Sequence, residues 1–193
     1  MSYHEAVFTM AYDETMESEG RDKMSNYKYD PGKQTWSGIS RRHHPGWPGW
    51  SLIDAGKHET VDGLRQLGNL RRQFYRDVFW NPISGNELAD ISADVAKKVF
   101  DVAVNVGVDR GSEILQRALN LCNRNELLYP DLLVDGDIGP ITVNTVRICL
   151  LVRRVSTLLA WIVCLQGAHY VQWMESNKKR EEFIGLAERA LKV

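Results

Sequence analysis

The sequence predicts a mainly α protein. Apolar residues recur at the 3.6-residue spacing of a helix in one segment after another. No strand-like alternation persists anywhere along the 193 residues. Glycine and proline gather in particular stretches, so the helices are separated by definite breaks.

Phe8, Tyr12, Thr15, Met16 and Glu19 fall at helical spacing and mark the first helix. Residues 21–50 differ in composition, with Gly32, Gly38, Gly46 and Gly49 beside Pro31, Pro45 and Pro48. Such punctuation predicts a long shaped loop or a short hairpin, and loops of that length usually carry function. Helical patterning resumes near Glu59, with Leu64, Leu67, Phe74 and Val78 as its stripe and Pro82 as its end. Ser92 reads as the N-cap of the next helix, with Val95, Val99, Ala103 and Val106 inward and Gly107 at the far end. Ser112 to Leu121 continues as helix. Asp135-Gly136 and Gly139-Pro140 mark a turn, and Pro140 is placed to open another helix. From Ile141 to Met174 the pattern is helical and strongly apolar, interrupted at Arg153-Arg154 and Gln166-Gly167. An amphipathic helix from Lys178 to Leu191 closes the chain.

Hydrophobic residues at 44 % and charged residues at 25 % are globular usage and exclude a disordered chain. The length suffices for a core without disulfides or a structural metal. A net charge of −1 excludes a globally basic nucleic-acid binder, though it leaves room for a local basic patch. The cysteines, Cys122, Cys149 and Cys164, are odd in number and read as buried reduced thiols. No Cys-x-x-Cys or His-x-x-x-His pair is present, so no zinc site is expected. The N-terminal stretch lacks a basic start followed by an apolar run, so no signal peptide is expected. The longest apolar run, Leu158 to Leu165, is far short of the roughly 20 residues that span a bilayer. It reads as a buried helix, without stable membrane insertion.

Glu19 is the residue that points most clearly to chemistry. It sits on the line of the first helix's apolar stripe, at the helix's C-terminal end. Desolvation and the negative end of the helix dipole both favour the protonated form. A protonated carboxyl at neutral pH is what a general acid requires. The competing reading is a solvated helix-end glutamate in an acidic run with Glu14 and Glu17.

The loop that follows adds to this. Residues 20–50 hold Arg21, Lys23, Lys28, Lys33, Arg41 and Arg42 against Asp22 and Asp30, a local balance of +4. They also hold Tyr27, Tyr29, Trp36, Trp47 and Trp50. Flat aromatic faces suit stacking on sugar rings, and the basic residues would draw an anionic polymer such as bacterial cell wall. Nucleic acid fits the same composition, but no binding motif accompanies it. These aromatics could equally pin a long loop to the core. Asp30 opens a turn at Asp30-Pro31-Gly32, and it could also be a second carboxylate opposite Glu19. Thr35 and Ser37 are hydroxyls able to orient a water or a substrate N-acetyl group.

These residues resemble a known family. Glu19-Gly20, then Asp30-Pro31-Gly32, Thr35 and Gly38-Ile39, is similar to the Glu-Gly-Gly-Tyr…Asp-Pro-Gly-Gly-x-Thr-x-x-Gly-Ile signature of glycoside hydrolase family 108. Phe74-Tyr75-Arg76 and Phe79-Trp80-Asn81-Pro82 resemble its Tyr-Arg…Tyr-Trp-x-Pro segment. Residues 101–107, Asp-Val-Ala-Val-Asn-Val-Gly, resemble its Asp-x-Ala-Val-Asn-x-Gly helix. Residues 115–119 and 135–142 are similar to the peptidoglycan-binding half that usually follows. Arg21, Asp22 and Lys33 depart from the signature, and Tyr27 or Tyr29 would then supply its aromatic.

The resemblance implies a lysozyme-like helical fold, with a catalytic part over 1–98 and a helical peptidoglycan-binding part over 99–193, packed as one compact unit. It implies an N-acetylmuramidase with Glu19 as catalytic acid and Tyr27, Asp30, Thr35, Trp36, Ser37 and Asn105 at the substrate. No cofactor and no metal are implied, since protonation and carboxylate assistance suffice. The implied partner is the peptidoglycan glycan strand rather than nucleic acid. The protein would be made in the cytoplasm and act in the periplasm or at the cell wall after release by a holin or another export helper. A non-catalytic peptidoglycan-binding or secretion-assisting protein of the same fold is the alternative.

Overall fold

The computed structural model describes residues 1–19, 24–26, 34–178, 180 and 185–191. The side chains of residues 18, 19, 24–26 and 189 lie outside that description. The architecture is mainly α, as the sequence predicts, with one small antiparallel sheet. The chain divides into two compact units, one of Phe8–Val78 and one of Met1–Val7 with Phe79–Val193.

In the Phe8–Val78 unit, α1 (Tyr3–Glu19) begins before the first residue of the predicted stripe and ends at Glu19. It buries Phe8, Ala11, Tyr12, Thr15 and Met16 along one face. The segment read as a loop or hairpin holds β1 (Met24–Asn26), β2 (Gln34–Trp36) and β3 (Ile39–Ser40), paired antiparallel in that order. Thr35 sits opposite Ser40 and Trp36 opposite Ile39. Ser37 and Gly38 join β2 to β3 with φ of 46° and 84°. Successive positive φ values belong to the tight hairpin turn whose twist matches the strands, and they favour glycine at the second position.

Two elements follow. The short α2 (Gly49–Asp54) has no signal in the periodicity. α3 (Val61–Tyr75) is capped by Thr60, whose hydroxyl accepts from the Gly63 amide at 3.1 Å. The buried face of α3 is Gly63, Leu67, Arg71 and Tyr75, not the predicted Leu64, Phe74 and Val78, which are only half-buried. A glycine and an arginine on the inward line hid it. The helix then widens into a π turn over Arg76–Trp80.

The other unit is a stack of helices. α4 (Gly85–Ile91) is a second short helix absent from the sequence reading. A Cβ on Gly85 would lie 2.4 Å from the Trp80 ring, so the indole lies directly over the glycine. The Trp80 ring nitrogen donates to Asn86 Oδ1 at 2.9 Å, and Phe100 meets the ring edge-on at 5.8 Å. The Phe79-Trp80-Asn81-Pro82 segment is thus part of a packing joint.

α5 (Ala93–Val106) matches its prediction except at Val106, which is only half-buried. Ser92 accepts from the Val95 amide, and Val95, Val99 and Ala103 are buried. Gly107, at φ 90°, turns the chain directly into α6 (Val108–Cys122). Pro140 opens α7 (Pro140–Val152), and α8 (Val155–Glu175) follows the predicted break at Arg153-Arg154. There is no break at Gln166-Gly167. Gln166 is buried and donates to the Tyr170 hydroxyl at 2.8 Å, one turn along the helix. The run Leu158 to Leu165 is buried on one side only, because Trp161 and Cys164 face outward. Among the described residues no helix is long and apolar enough to cross a membrane. Of the predicted final helix, α9 (Leu186–Ala190) is present, and residues 179 and 181–184 lie outside the described part.

All three cysteines are free, but only Cys122 and Cys149 are buried, which corrects the expectation for Cys164. A hydrogen bond from the Cys122 thiol draws Cys149 down to about 7, and the same contact pushes Cys122 up. A native sample treated with a disulfide reagent is therefore expected to release one equivalent of chromophore quickly. Unfolding in denaturant should expose the other two. Three fast equivalents in the native state would contradict the burial of the pair.

Candidate functional site

The Phe8–Val78 unit is organised around Arg71. Its guanidinium is 8 % exposed, donating to the Tyr12 hydroxyl at 2.5 Å and to Ser37 Oγ at 3.0 Å. The Tyr75 hydroxyl donates to the Ser37 carbonyl at 3.1 Å. α3 therefore grips the β2–β3 turn, which secures a serine backbone at positive φ. Burial pushes the Tyr12 hydroxyl up in pKa, against the pull of Arg71, so it stays protonated at neutral pH. Two further arginines, Arg72 of α3 and Arg76 of the π turn, lie on this face of α1. Arg72 donates to Thr9 Oγ1 at 2.6 Å, and the Arg76 guanidinium lies 4.0 Å from the Phe8 ring centre.

These contacts run along α1 toward its C-terminal end, where Glu19 is the last helical residue. The Glu19 side chain, and all of Tyr27 and Asp30, lie outside the described residues. Thr35 is half-buried in β2. Trp36 is 2 % exposed, with its ring edge-on to His58 at 6.0 Å, and its ring nitrogen has no hydrogen-bond partner among the described residues. Ser37 is buried in the Arg71 network. Thr35, Trp36 and Ser37 are thus brought together by one strand and its turn. Asn105 belongs to α5 in the other unit, where it donates to the Asp101 carbonyl at 2.7 Å and to Asp101 Oδ1 at 3.1 Å.

Trp47 and Trp50 are also buried and meet edge-on at 5.2 Å. The Trp50 ring nitrogen donates to the His44 carbonyl at 2.8 Å, and Arg41 lies over the ring while bound to Asp54. That pairing holds the Asp54 carboxyl below its ordinary range. All three tryptophans of the 36–50 segment therefore pack against protein. A cavity of about 390 Å³ opens between His44, Trp47, Leu70, Phe74, Asp77 and Val78. Burial and the neighbouring His43 keep His44 below its ordinary range, which favours the neutral ring.

The helical unit holds a second feature, whose hydrogen bonding the sequence analysis did not foresee. Gln116 and Asn120 of α6, and Asn123 just past its end, lace the following loop to the helix. Gln116 Oε1 accepts from the amides of Asp135 and Gly136 at 3.1 and 3.0 Å. Asn120 exchanges two bonds with the Leu132 backbone, at 2.8 and 2.9 Å. Asn123 accepts from the Leu128 and Tyr129 amides, both at 3.2 Å, and donates to Asp131 Oδ1 at 2.8 Å. Backbone groups satisfied this way hold a loop as firmly as a neighbouring strand would. Between this loop and the start of α7 runs a groove of about 670 Å³. Among the described residues no group of three or more His, Cys, Asp or Glu could hold a metal ion.

Residues 12–107 match the family model described as Glycosyl hydrolase 108, and residues 110–187 match that described as Predicted Peptidoglycan domain. The junction falls at the Gly107 turn between α5 and α6. Ten chains of solved structures match. One, titled "Structure of Brucella abortus SagA", is 18 % identical with a TM-score of 0.59, over 96 % of this chain and 92 % of that one. At that identity the likeness shows a shared fold. No curated protein matches the chain.

Proposed function

The chain belongs to glycosyl hydrolase family 108 and carries a peptidoglycan-domain C-terminal half, and from that premise we propose that it is an N-acetylmuramidase. It cleaves the β-1,4 bond between N-acetylmuramic acid and N-acetylglucosamine by general-acid catalysis. The observation that carries this reading is the position of Glu19 as the last residue of α1, inside the segment that matches the hydrolase family.

In this mechanism Glu19 protonates the departing glycosidic oxygen. A water, or Asp30, attacks the anomeric carbon from the other side of the ring. The segment around β2 and its turn, with Thr35, Trp36 and Ser37, shapes the glycan site, and Tyr27 adds a substrate contact. The α6–α8 region holds the wall. The site of action is the periplasm or the cell wall after release by an export helper such as a holin.

Digestion of purified peptidoglycan, followed by reduction and mass spectrometry of the fragments, tests the bond assignment. New reducing ends on N-acetylmuramic acid are expected. Reducing ends on N-acetylglucosamine would overturn the assignment within the same hydrolase class. The Arg21-Asp22 departure from the family signature motivates the alternative, a protein that binds wall without cutting it. Wall binding with no new reducing ends of either kind would establish that alternative.

A further inference from the structure

We propose that the groove between the α6–α7 loop and the start of α7 binds the stem peptide of peptidoglycan, with Asp131 and Asp135 receiving the side-chain amine of its diamino acid. This rests on the peptidoglycan reading of residues 110–187 and specifies which part of the polymer the region holds.

The groove is built for a ligand that is apolar along its length and cationic at one point. Leu133 and Ile141 stand on its walls 79 % and 76 % exposed, large apolar surface left open to water. Ile148 and Asn144 continue the wall along α7. Among the described residues that line the groove, Asp131 and Asp135 carry the charges, and both are negative.

Neither carboxylate is loose. Asp131 accepts from Asn123, and Asp135 accepts from Gln116 Nε2 at 2.7 Å and the Asp137 amide at 3.0 Å. The Gln116 bond holds the Asp135 carboxyl below its ordinary range, so it is ionised at neutral pH. Each keeps further lone pairs for an outside donor. A preorganised carboxylate gains more from an incoming ammonium than a mobile one does.

Peptidoglycan has two chemical halves. Its glycan is N-acetylated, so it offers no cation, and sugar rings are held best by open aromatic faces. The groove's aromatic residue, Tyr129, is 6 % exposed with its hydroxyl donating to the Leu119 carbonyl at 2.8 Å. The stem peptide has what the groove complements: short apolar side chains and the amine of lysine or diaminopimelate.

The test uses the full-length, isotope-labelled protein and three probes. The first is N-acetyl-L-Ala-γ-D-isoGln-L-Lys amide, whose single charge is the lysine amine. The second is the same peptide with that amine acetylated. The third is peptide-free glycan. Amide shifts at Ile141, Asn144 and Ile148 report the groove. The free-amine peptide is expected to move them, and acetylation should weaken binding about tenfold or more, the size of one charge-assisted hydrogen bond. D131N/D135N should remove that discrimination, and I141S should weaken both peptides alike. Melting temperatures of the variants show whether the unit is intact. Equal affinity for the free and acetylated peptides overturns the proposal, as does tighter binding of glycan at these same amides. No shift with any probe, in a protein that still releases reducing ends from wall, also overturns it and leaves the hydrolase reading standing. Absence of both groove binding and wall cleavage brings down the reading on which it rests.

Discussion

Ala103→Asp is expected to destabilise the helical unit by about 3–5 kcal/mol, the range for a buried charge without a partner. Ala103 is fully buried in α5. Its neighbour across the Gly107 turn is Gly111 of α6, and a Cβ on Gly111 would lie 3.0 Å from the Ala103 Cα. The two helices approach at backbone distance because both contact residues are small. A carboxylate at 103 has neither space nor a cation, and its protonation would relieve only the charge. For a chain of this size each kcal/mol shifts the melting temperature by roughly 2–4 °C, so a fall of about 10 °C is expected. The same substitution at Ala168, exposed on α8, should change stability by less than about 0.5 kcal/mol. Equal melting temperatures for the two variants would refute the close α5–α6 packing.

The legible part of the fold was the part set by local chemistry. α5 could be read from Ser92, its apolar line and Gly107, because caps and periodicity act within one turn of the chain. Pro140 marked α7 for the same reason. What escaped depends on distant partners. Gly49 reads as a breaker, yet it opens a helix with a tryptophan ring against it, a Cβ there falling 2.2 Å from Trp47, and Gly85 opens α4 against Trp80 in the same way. Glycine here provides clearance for an aromatic ring, which the sequence pattern does not distinguish from flexibility. The inward line of α3 escaped because Arg71 is buried by a tyrosine and a serine from other elements.

The candidate site divides in the same way. The placement of Glu19 at a helix end was legible from spacing along one helix, and α1 ends there. The gathering of Thr35, Trp36 and Ser37 follows from one strand and a tight turn. The lacing by Gln116, Asn120 and Asn123 was invisible, since their partners are backbone groups of a loop that has no pattern of its own. A trace was present: polar amides at 116, 120 and 123 recur at helical spacing beside an apolar line. Such a row reads as a solvated face until the loop is seen lying on it.

Glu19→Gln is expected to reduce turnover on purified peptidoglycan by about 10²–10⁴-fold, the usual contribution of a positioned general acid. The substitution keeps size and hydrogen-bonding shape and removes only the transferable proton. Wall binding and melting temperature should stay near the wild type, because the side chain keeps its size and the groove of the helical unit is lined by residues of 116–148. The wild-type rate should carry a matching pH signature. A general acid acts only while protonated, so turnover should fall as pH rises past the point at which Glu19 ionises. In the variant the alkaline limb should be absent from whatever rate remains. Reducing-end release measured against pH for both proteins decides the matter. A variant that cuts at the wild-type rate removes Glu19 from the chemistry. A large loss of rate with the alkaline limb unchanged assigns the titrating acid to another group and leaves Glu19 a positioning role.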